Sequence, residues 1–230
     1  MKERILVICP SRGRPQQCKA MVDSFLKNSN CSTIKILLDN DDECLNEYFD
    51  VLKNVSFSIN IRNTTTNLIN DHWKYTADCY KYFSVTNDDF IYQTKDWDKK
   101  LINRIKESGK FSIAYGNDLL AGMAIPTTSV ISREIVEALG YLQMPLLTHL
   151  FGDNVWNYIG RACDCIYYVP EVIIEHRHVF ARKAQADETH NFTNSEEMYR
   201  KDEQAFIKWI KENSKADIKK VKEATIRGLV

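Results

Sequence analysis

The first half of the chain alternates short apolar runs with amphipathic stretches in which apolar residues recur every three to four positions. Short apolar or β-branched runs are typical of buried strands, and the longer period is typical of helices that pack on a sheet. The pattern predicts strands at residues 4–9, 33–38, 57–61 and 82–90, and helices at residues 16–27, 45–52 and 68–79. The run at 82–90 stops at Asn87, Asp88 and Asp89, which indicates a central strand that ends in acidic residues.

The second half of the chain continues this alternation. It predicts helices from Trp97 to Gly109 and at residues 134–139, a strand at 111–115, and a final pair of strands at 165–169 and 172–174. Residues 126–132 contain a β-branched run that leads into the helix at 134–139. From Ser195 the pattern is helical. Strands that alternate with helices favour a right-handed, mainly parallel sheet with helices on both faces.

Polar loops follow three of the predicted strands. The carboxyl ends of parallel strands meet at one edge of a sheet, and ligands bind there. We therefore expect the three loops to line one groove. Their candidate ligand-binding residues are Pro10, Ser11, Arg12 and Arg14 after the first strand, Asp39 and Asp41 after the second, and Asp88 and Asp89 after the strand at 82–90.

The residue types in these loops suit a diphosphate and a metal ion. Asp88 and Asp89 are adjacent carboxylates that repel each other, and a divalent cation is the simplest compensation. A solvated turn is the alternative interpretation. The guanidinium groups of Arg12 and Arg14 match phosphate oxygens. Because the sequence contains no glycine-rich phosphate loop, a diphosphate would be held by the cation and the arginines.

Two histidines follow the last predicted strand. Alternation places His176 and His178 on one face, where they are candidate ligands of the same cation. Ordinary surface or core histidines are the alternative. Imidazole combined with carboxylate and phosphate oxygens suits Mn²⁺ better than Mg²⁺.

The composition argues against several other classes of protein. The chain has 230 residues with 31 basic and 31 acidic side chains, so no overall charge attracts it to nucleic acid or to an anionic membrane. Its seven cysteines are scattered and odd in number, which is typical of reduced thiols in the cytosol. No stretch approaches the roughly 20 apolar residues of a membrane span.

The order of these motifs resembles the GT-A glycosyltransferases, and among them the large family-two-like group. These enzymes use nucleotide-sugars and hold a divalent metal with an Asp-x-Asp motif. The resemblance rests on the Pro-Ser-Arg-x-Arg-Pro loop at 10–15, the acidic end of the second strand, Asn87-Asp88-Asp89 in place of Asp-x-Asp, and residues 149–156, which are similar to the family's Gly-Glu/Asp-Asp-x-x-Trp segment. In the order of its elements and motifs, the resemblance covers residues 4–190.

The resemblance implies the fold and the domain organisation. The expected fold is α/β and GT-A-like, with a Rossmann-related, mostly parallel central sheet flanked by helices. Residues 1–190 would form the catalytic domain, and residues 191–230 a C-terminal helical extension packed on it.

The resemblance also implies the roles of the site residues. Asp153 is the expected general base, with simple capping of its helix as the alternative. Asp89, with Asp88 as the alternative, would bind Mn²⁺ or Mg²⁺ together with His176 or His178. Lys183 lies in a polar loop that folds over the donor in this family, and it would meet the leaving diphosphate unless it is only solvated.

The function that follows is metal-dependent transfer of a sugar from a nucleoside-diphosphate-sugar, expected to be a UDP-sugar, to an acceptor hydroxyl. A base at Asp153 implies inversion at the anomeric carbon, and a retaining outcome stays open. The acceptor is open among a modified nucleobase, a saccharide, a protein and a small molecule.

The alternative functions are a non-catalytic nucleotide-sugar-binding module and a nucleotidyltransferase, although the latter would normally carry a glycine-rich loop after the first strand. The compact size and the lack of a membrane span fit a bacterial or viral enzyme in the cytoplasm.

Overall fold

A computed structural model describes residues 3–177 and 195–227. The strands in this part of the chain are β1 (Ile5–Pro10), β2 (Ser32–Asp39), β3 (Ser56–Asn60), β4 (Tyr82–Val85), β5 (Phe90–Tyr92), β6 (Ile113–Asn117), β7 (Ser129–Ser132) and β8 (Ile166–His176). The helices are α1 (Pro15–Asn28), α2 (Leu45–Val51), α3 (Thr65–Thr76), α4 (Trp97–Glu107), α5 (Arg133–Leu139), α6 (Gly152–Ala162), α7 (Glu196–Glu212) and α8 (Ser214–Arg227). None of the described helices is both long and apolar enough to cross a membrane.

The strands form one eight-stranded sheet in the order β3-β2-β1-β4-β7-β6-β8-β5. Strand β1 runs parallel to both β2 and β4, and β2 runs parallel to β3. Strand β7 is antiparallel to β4 and β6, whereas β8 is parallel to β6 and antiparallel to β5. The predicted α/β architecture with a mostly parallel central sheet is therefore confirmed, and β1 and β4 lie near its middle.

Helices cover both faces of this sheet. Side chains alternate along each strand, so an apolar strand presents apolar side chains to both faces, and helices bury them. On β1, Ile5, Val7 and Cys9 face one apolar cluster, and Leu6 and Ile8 face the other. The first cluster includes side chains from α1 and α4, and the second includes side chains from α3, α5, α6 and the two C-terminal helices. A strand buried on both faces explains why residues 5–9 form an unbroken apolar run.

The C-terminal helices dock on the second face through buried polar contacts. Helix α7 begins at Ser195, whose hydroxyl oxygen accepts a hydrogen bond from the Met198 N–H (3.3 Å), so the predicted helical start is confirmed. On α8, Asp217 Oδ2 accepts hydrogen bonds from the Tyr141 hydroxyl (2.8 Å) and from Trp209 Nε1 (2.9 Å). These contacts tie α8 to α7 and to the segment after α5.

The predicted final pair of strands was wrong. The runs at 165–169 and 172–174 form one continuous strand, β8. Tyr115 pairs with Tyr168 and Asn117 pairs with Ile173, so β8 bulges between these pairings. The break in the apolar pattern at Pro170 lies in this bulge, where the missing N–H costs no ladder hydrogen bond.

The run at 82–90 was also divided differently from the prediction. Strand β4 ends at Val85, and a separate three-residue strand, β5, begins at Phe90 and pairs with the end of β8. Asn87, Asp88 and Asp89 therefore lie between two strands. This turn brings the acidic residues and the carboxyl end of β8 to the same side of the sheet.

Candidate functional site

A cavity of about 490 Å³ opens at the carboxyl ends of β1, β2 and β4. This volume is within the usual range for small-molecule sites. Of the residues predicted to bind ligands, those that line it are Pro10, Ser11, Arg12, Arg14, Asp39, Asp88, Asp89, Asp153 and His176. The expected convergence of the three loops at one edge is thus observed. His178 and Lys183 lie outside the described residues.

Asp88 is the buried centre of a hydrogen-bond network at the base of the cavity. Its Oδ2 accepts a hydrogen bond from the Ser11 hydroxyl at 2.6 Å, and its Oδ1 lies 3.3 Å from Arg14 Nη1. The Ser11 and Tyr48 hydroxyls are 2.7 Å apart, and the Tyr48 oxygen accepts the Arg14 N–H at 3.0 Å. Burial raises the pKa of Asp88 to about 6, although Arg14 and Ser11 act to lower it. The network fixes the loop after β1 against the end of β4.

Arg12 forms a second polar group at the rim of the cavity. Its Nη1 lies 3.1 Å from Asp39 Oδ2 and 2.6 Å from Asp41 Oδ1, and Arg62 approaches Asp41 from the other side at 3.5 Å. The hydrogen bond from Arg12 lowers the pKa of the exposed Asp41, whereas burial raises the pKa of Asp39. Asp41 is not part of the cavity wall. Each of the two predicted arginines, Arg12 and Arg14, is therefore paired with a carboxylate.

Asp89 and His176 meet in another part of the cavity wall. His176 Nε2 lies 3.2 Å from Asp89 Oδ2, and the imidazole stacks on the Phe90 ring with a centroid distance of 4.3 Å. The backbone fixes this pair, because the Arg177 N–H donates to the Asp89 carbonyl at 2.9 Å. Two residues that are 87 positions apart in the sequence are therefore held together by the pairing of β5 with β8.

The side chains of Asp89 and His176 offer atoms that are suitable ligands for a divalent cation. Asp89 Oδ1 is buried and has no hydrogen-bond partner among the described residues, so this oxygen is left for a ligand. Carboxylate oxygen and imidazole nitrogen are ordinary ligands of Mn²⁺. Within residues 3–177 and 195–227, however, no cluster of three or more carboxylate, imidazole or thiol groups forms a metal site by itself.

Asp153 faces the same cavity from the first turn of α6. The N-cap position of this helix is Phe151, at φ 66°, so Asp153 is not the cap residue that the alternative interpretation required. Its carboxylate accepts no hydrogen bond from a described residue. Burial raises the pKa of Asp153 to about 7; the His176 imidazole acts to lower it and Asp118 to raise it. The carboxylate thus has the basicity that a general base needs near neutral pH.

Four polar residues are among the cavity-facing or supporting positions to which the sequence interpretation gave no role. Gln143, His149 and Arg62 line the cavity, and Tyr48 supports it from α2. Tyr48 follows the apolar pattern of a helix, and Arg62, Gln143 and His149 come from loops. A fully buried tyrosine hydroxyl needs a partner, but only coordinates show which group supplies it.

Comparison with known proteins gives a clear result at the level of structure only. No protein-family model matches the sequence, and a search of curated proteins finds no match. A mannosyltransferase from Pyrobaculum calidifontis, solved with GDP-mannose and Mn²⁺, superposes on the chain with a TM-score of 0.57 and 8% identity over 97% of this chain and 74% of that one. The chain has the GT-A fold.

Two further GT-A structures support this assignment. Glucosyl-3-phosphoglycerate synthase from Mycobacterium tuberculosis, solved with Mn²⁺, UDP and phosphoglyceric acid, has a TM-score of 0.55 and 11% identity over 81% of this chain and 80% of its own. A putative nucleotide-diphospho-sugar transferase from Desulfovibrio desulfuricans has a TM-score of 0.53 and 10% identity over 96% of this chain and 99% of its own. At such identities a GT-A fold does not fix the donor, the acceptor or the residue roles.

Proposed function

We propose that this GT-A protein is a metal-dependent glycosyltransferase that moves a sugar from a nucleoside-diphosphate-sugar to an acceptor hydroxyl. The observation that carries the proposal is that Asp89, His176 and Asp153 line one cavity. The first two are suited to a diphosphate-bound cation, and the third is a carboxylate with a pKa of about 7. The GT-A structures described above, two of which contain Mn²⁺ together with GDP-mannose or UDP, support this choice of chemistry.

The donor would lie along the ends of β1, β2 and β4. Pro10 and Ser11 would form the floor, and Arg12 and Asp39 would contact the nucleoside. Asp41 would act through Arg12, which it holds from outside the cavity wall. Carboxylates that accept hydrogen bonds are suited to ribose hydroxyls or base N–H groups.

The diphosphate would lie between Arg14 and the Asp89–His176 pair. Asp88 holds the Arg14 guanidinium at 3.3 Å, which orients it toward the cavity. Asp89 and His176 would hold Mn²⁺ or Mg²⁺. When bound, this cation neutralises the negative charge on the departing diphosphate as a Lewis acid.

Asp153 would accept the proton of the acceptor hydroxyl. A sugar hydroxyl is a weak nucleophile until its proton is removed in the transition state, and a base with a pKa near 7 is ionised for about half of the molecules at that pH. Attack on the side of the anomeric carbon opposite the diphosphate would invert its configuration.

Release of nucleoside diphosphate tests this proposal. With UDP-glucose or GDP-mannose as donor, Mn²⁺ present and a panel of acceptors, the wild-type chain should release UDP or GDP. Asp89→Ala should lose this activity, because the cation loses a ligand. Asp23→Ala is the control, since its carboxylate is exposed on α1, does not line the cavity and pairs with Lys19 four residues away. Turnover in Asp89→Ala equal to that of the control would refute the assigned metal role. Donor binding without release, across the panel, would favour the non-catalytic binding module.

Several finer predictions belong to this proposal. UDP-sugar as donor, Lys183 at the leaving diphosphate and His178 as a further metal ligand stay predictions. The same holds for a cytoplasmic location and for the division between a catalytic domain at 1–190 and an extension at 191–230. The acceptor stays open among the four classes named above.

A further inference from the structure

Asp202 on α7 holds the loop that leads to Asp153. This aspartate is fully buried, with 0% of its surface exposed. Its Oδ1 accepts the Thr148 N–H at 2.8 Å, and its Oδ2 accepts the N–H groups of His149 and Leu150 at 2.8 and 2.7 Å. A buried carboxylate with three backbone donors fixes the conformation of the loop it contacts. This buried aspartate of α7 therefore anchors a wall of the cavity.

His149 is held from a second direction by α3. Its Nδ1 lies 3.1 Å from the hydroxyl oxygen of Thr65, the first residue of that helix, and the Thr66 N–H donates to the Thr148 carbonyl at 3.4 Å. His149 lines the cavity. Since Thr65 engages Nδ1, Nε2 is the ring nitrogen that remains for a ligand. No group in the described part of the chain forms a hydrogen bond with it.

The charge of the ring selects the kind of ligand. Burial lowers the pKa of His149, and the positive charge of Arg14 acts in the same direction, whereas Asp202 and Asp89 oppose them. The ring is therefore neutral near pH 7. A neutral imidazole exchanges one hydrogen bond with a hydroxyl group, whereas recognition of phosphate favours a cation. His149 lines the same cavity as Arg14 and Asp89, the residues assigned to the diphosphate and its cation.

We propose that His149 is a further substrate-contacting residue, whose Nε2 forms a hydrogen bond with a hydroxyl of the sugar carried by the donor, and that Asp202 positions it. This inference rests on the proposed function and names a specificity contact within the same site. It also makes α7 a supporting element of the donor site.

Calorimetric titration of the full chain separates a sugar contact from a nucleotide contact. The ligands are UDP, UDP-glucose, GDP and GDP-mannose, each with Mn²⁺. For the nucleotide that the wild-type chain binds, His149→Ala should weaken binding of the sugar-bearing ligand by about 3- to 10-fold, which is the effect of one hydrogen bond. The affinity for the sugar-free ligand should not change. His149→Gln, which keeps a polar group near the position of Nε2, should recover most of the loss. His72→Ala is the matched control, because His72 is a half-buried histidine on α3 that does not line the cavity.

Asp202→Asn tests the positioning role. Loss of one carboxylate oxygen should move the loop and cause the same selective weakening of the sugar-bearing ligand. Asp217→Asn is its control, because this buried aspartate on α8 also accepts three hydrogen bonds but contacts Tyr141, Trp209 and Lys220 rather than the cavity loop. Equal losses for both ligands in Asp202→Asn would assign it a general structural role and overturn the positioning claim.

Two other outcomes are decisive. Unchanged binding of the sugar-bearing ligand by His149→Ala, or an equal loss for the sugar-bearing and sugar-free ligands, overturns the proposed contact and leaves the proposed function standing. Failure of the wild-type chain to bind any of the four ligands overturns the proposed function, and the His149 contact with it.

Discussion

Burial raises the pKa of Asp153 from 3.8 to about 7, so the folded chain keeps this carboxylate ionised at pH 8 only at a cost in free energy. Asp153→Asn removes the charge but keeps the shape of the side chain. The variant should therefore be more stable than the wild-type chain at pH 8 and should transfer sugar about 10²- to 10⁴-fold more slowly, the usual contribution of a general base.

The magnitude follows from the size of the pKa shift. A shift of about three units corresponds to about 4 kcal/mol at 1.36 kcal/mol per unit. Because the Asp153 carboxylate is only half-buried by surface area, solvent screening reduces this figure, and we expect about 2 kcal/mol. For a chain of this length that corresponds to a rise in Tm of about 4–8 °C.

The pH dependence has a defined sign. Below about pH 4 the carboxyl group is protonated in the folded and unfolded chains, so the wild-type chain and Asp153→Asn should have similar stability. As the pH rises from 4 to 7, the unfolded chain loses its proton and the folded chain resists losing it, so the wild-type chain loses stability. The advantage of the variant should therefore grow over this range and level off above pH 7.

Urea unfolding at pH 5 and pH 8, in EDTA so that no divalent cation screens the carboxylate, measures this effect. Asp164→Asn is the control, because the Asp164 side chain is 99% exposed and should show little change. An Asp153→Asn variant that is no more stable than the wild-type chain at pH 8, or equally stabilised at both pH values, would refute the account of its environment. Full transfer activity in the variant would refute its role as the base.

Two further predictions concern the scaffold. Gly116→Ala should destabilise the chain by about 2–3 kcal/mol in urea unfolding, because an added Cβ would lie 2.4 Å from the Val172 carbonyl oxygen in the bulge of β8. Gly140→Ala should cost only about 1 kcal/mol, because φ is 81° there but no atom lies within 4 Å of the added Cβ. Equal losses of stability in the two variants would contradict the packing argument. Asp98→Ala should lower the free energy of unfolding by about 2–4 kcal/mol, because Asp98 Oδ2 accepts hydrogen bonds from the N–H groups of Asn30 and Cys31 and from the Ser32 hydroxyl at 2.7–2.8 Å. A loss of stability below 1 kcal/mol would show that water replaces these bonds.

The sequence predicted the larger elements of the sheet because their periodicity is strong. β1 is an unbroken apolar run buried on both faces, and α4 repeats its apolar residues at helical spacing. The sequence could not predict β5, because three residues are too few to establish a period. It could not show that β8 is continuous either, because Pro170 interrupts the pattern in the same way whether the chain turns or bulges.

The site residues that directly follow strand ends were predictable from the sequence. The contacts between side chains that lie far apart in the sequence were not. The loops after β1, β2 and β4 meet because parallel strands end at one edge. The pairing of each arginine with a carboxylate was not predicted, since either partner could equally have faced a ligand. The role of Asp202 was not predictable from the sequence, because its three partners lie more than fifty residues away.

The central claim is that this cavity binds a nucleoside diphosphate through a cation held by Asp89. A thermal-shift measurement with UDP and with GDP, with and without Mn²⁺, tests it most directly. Ligand at 100 times its Kd stabilises the folded chain by about 2.7 kcal/mol, which raises Tm by about 5–10 °C. The account predicts such a rise for one nucleotide only when Mn²⁺ is present, and its loss in Asp89→Ala. No rise with either nucleotide, or the same rise in Asp89→Ala, would contradict it.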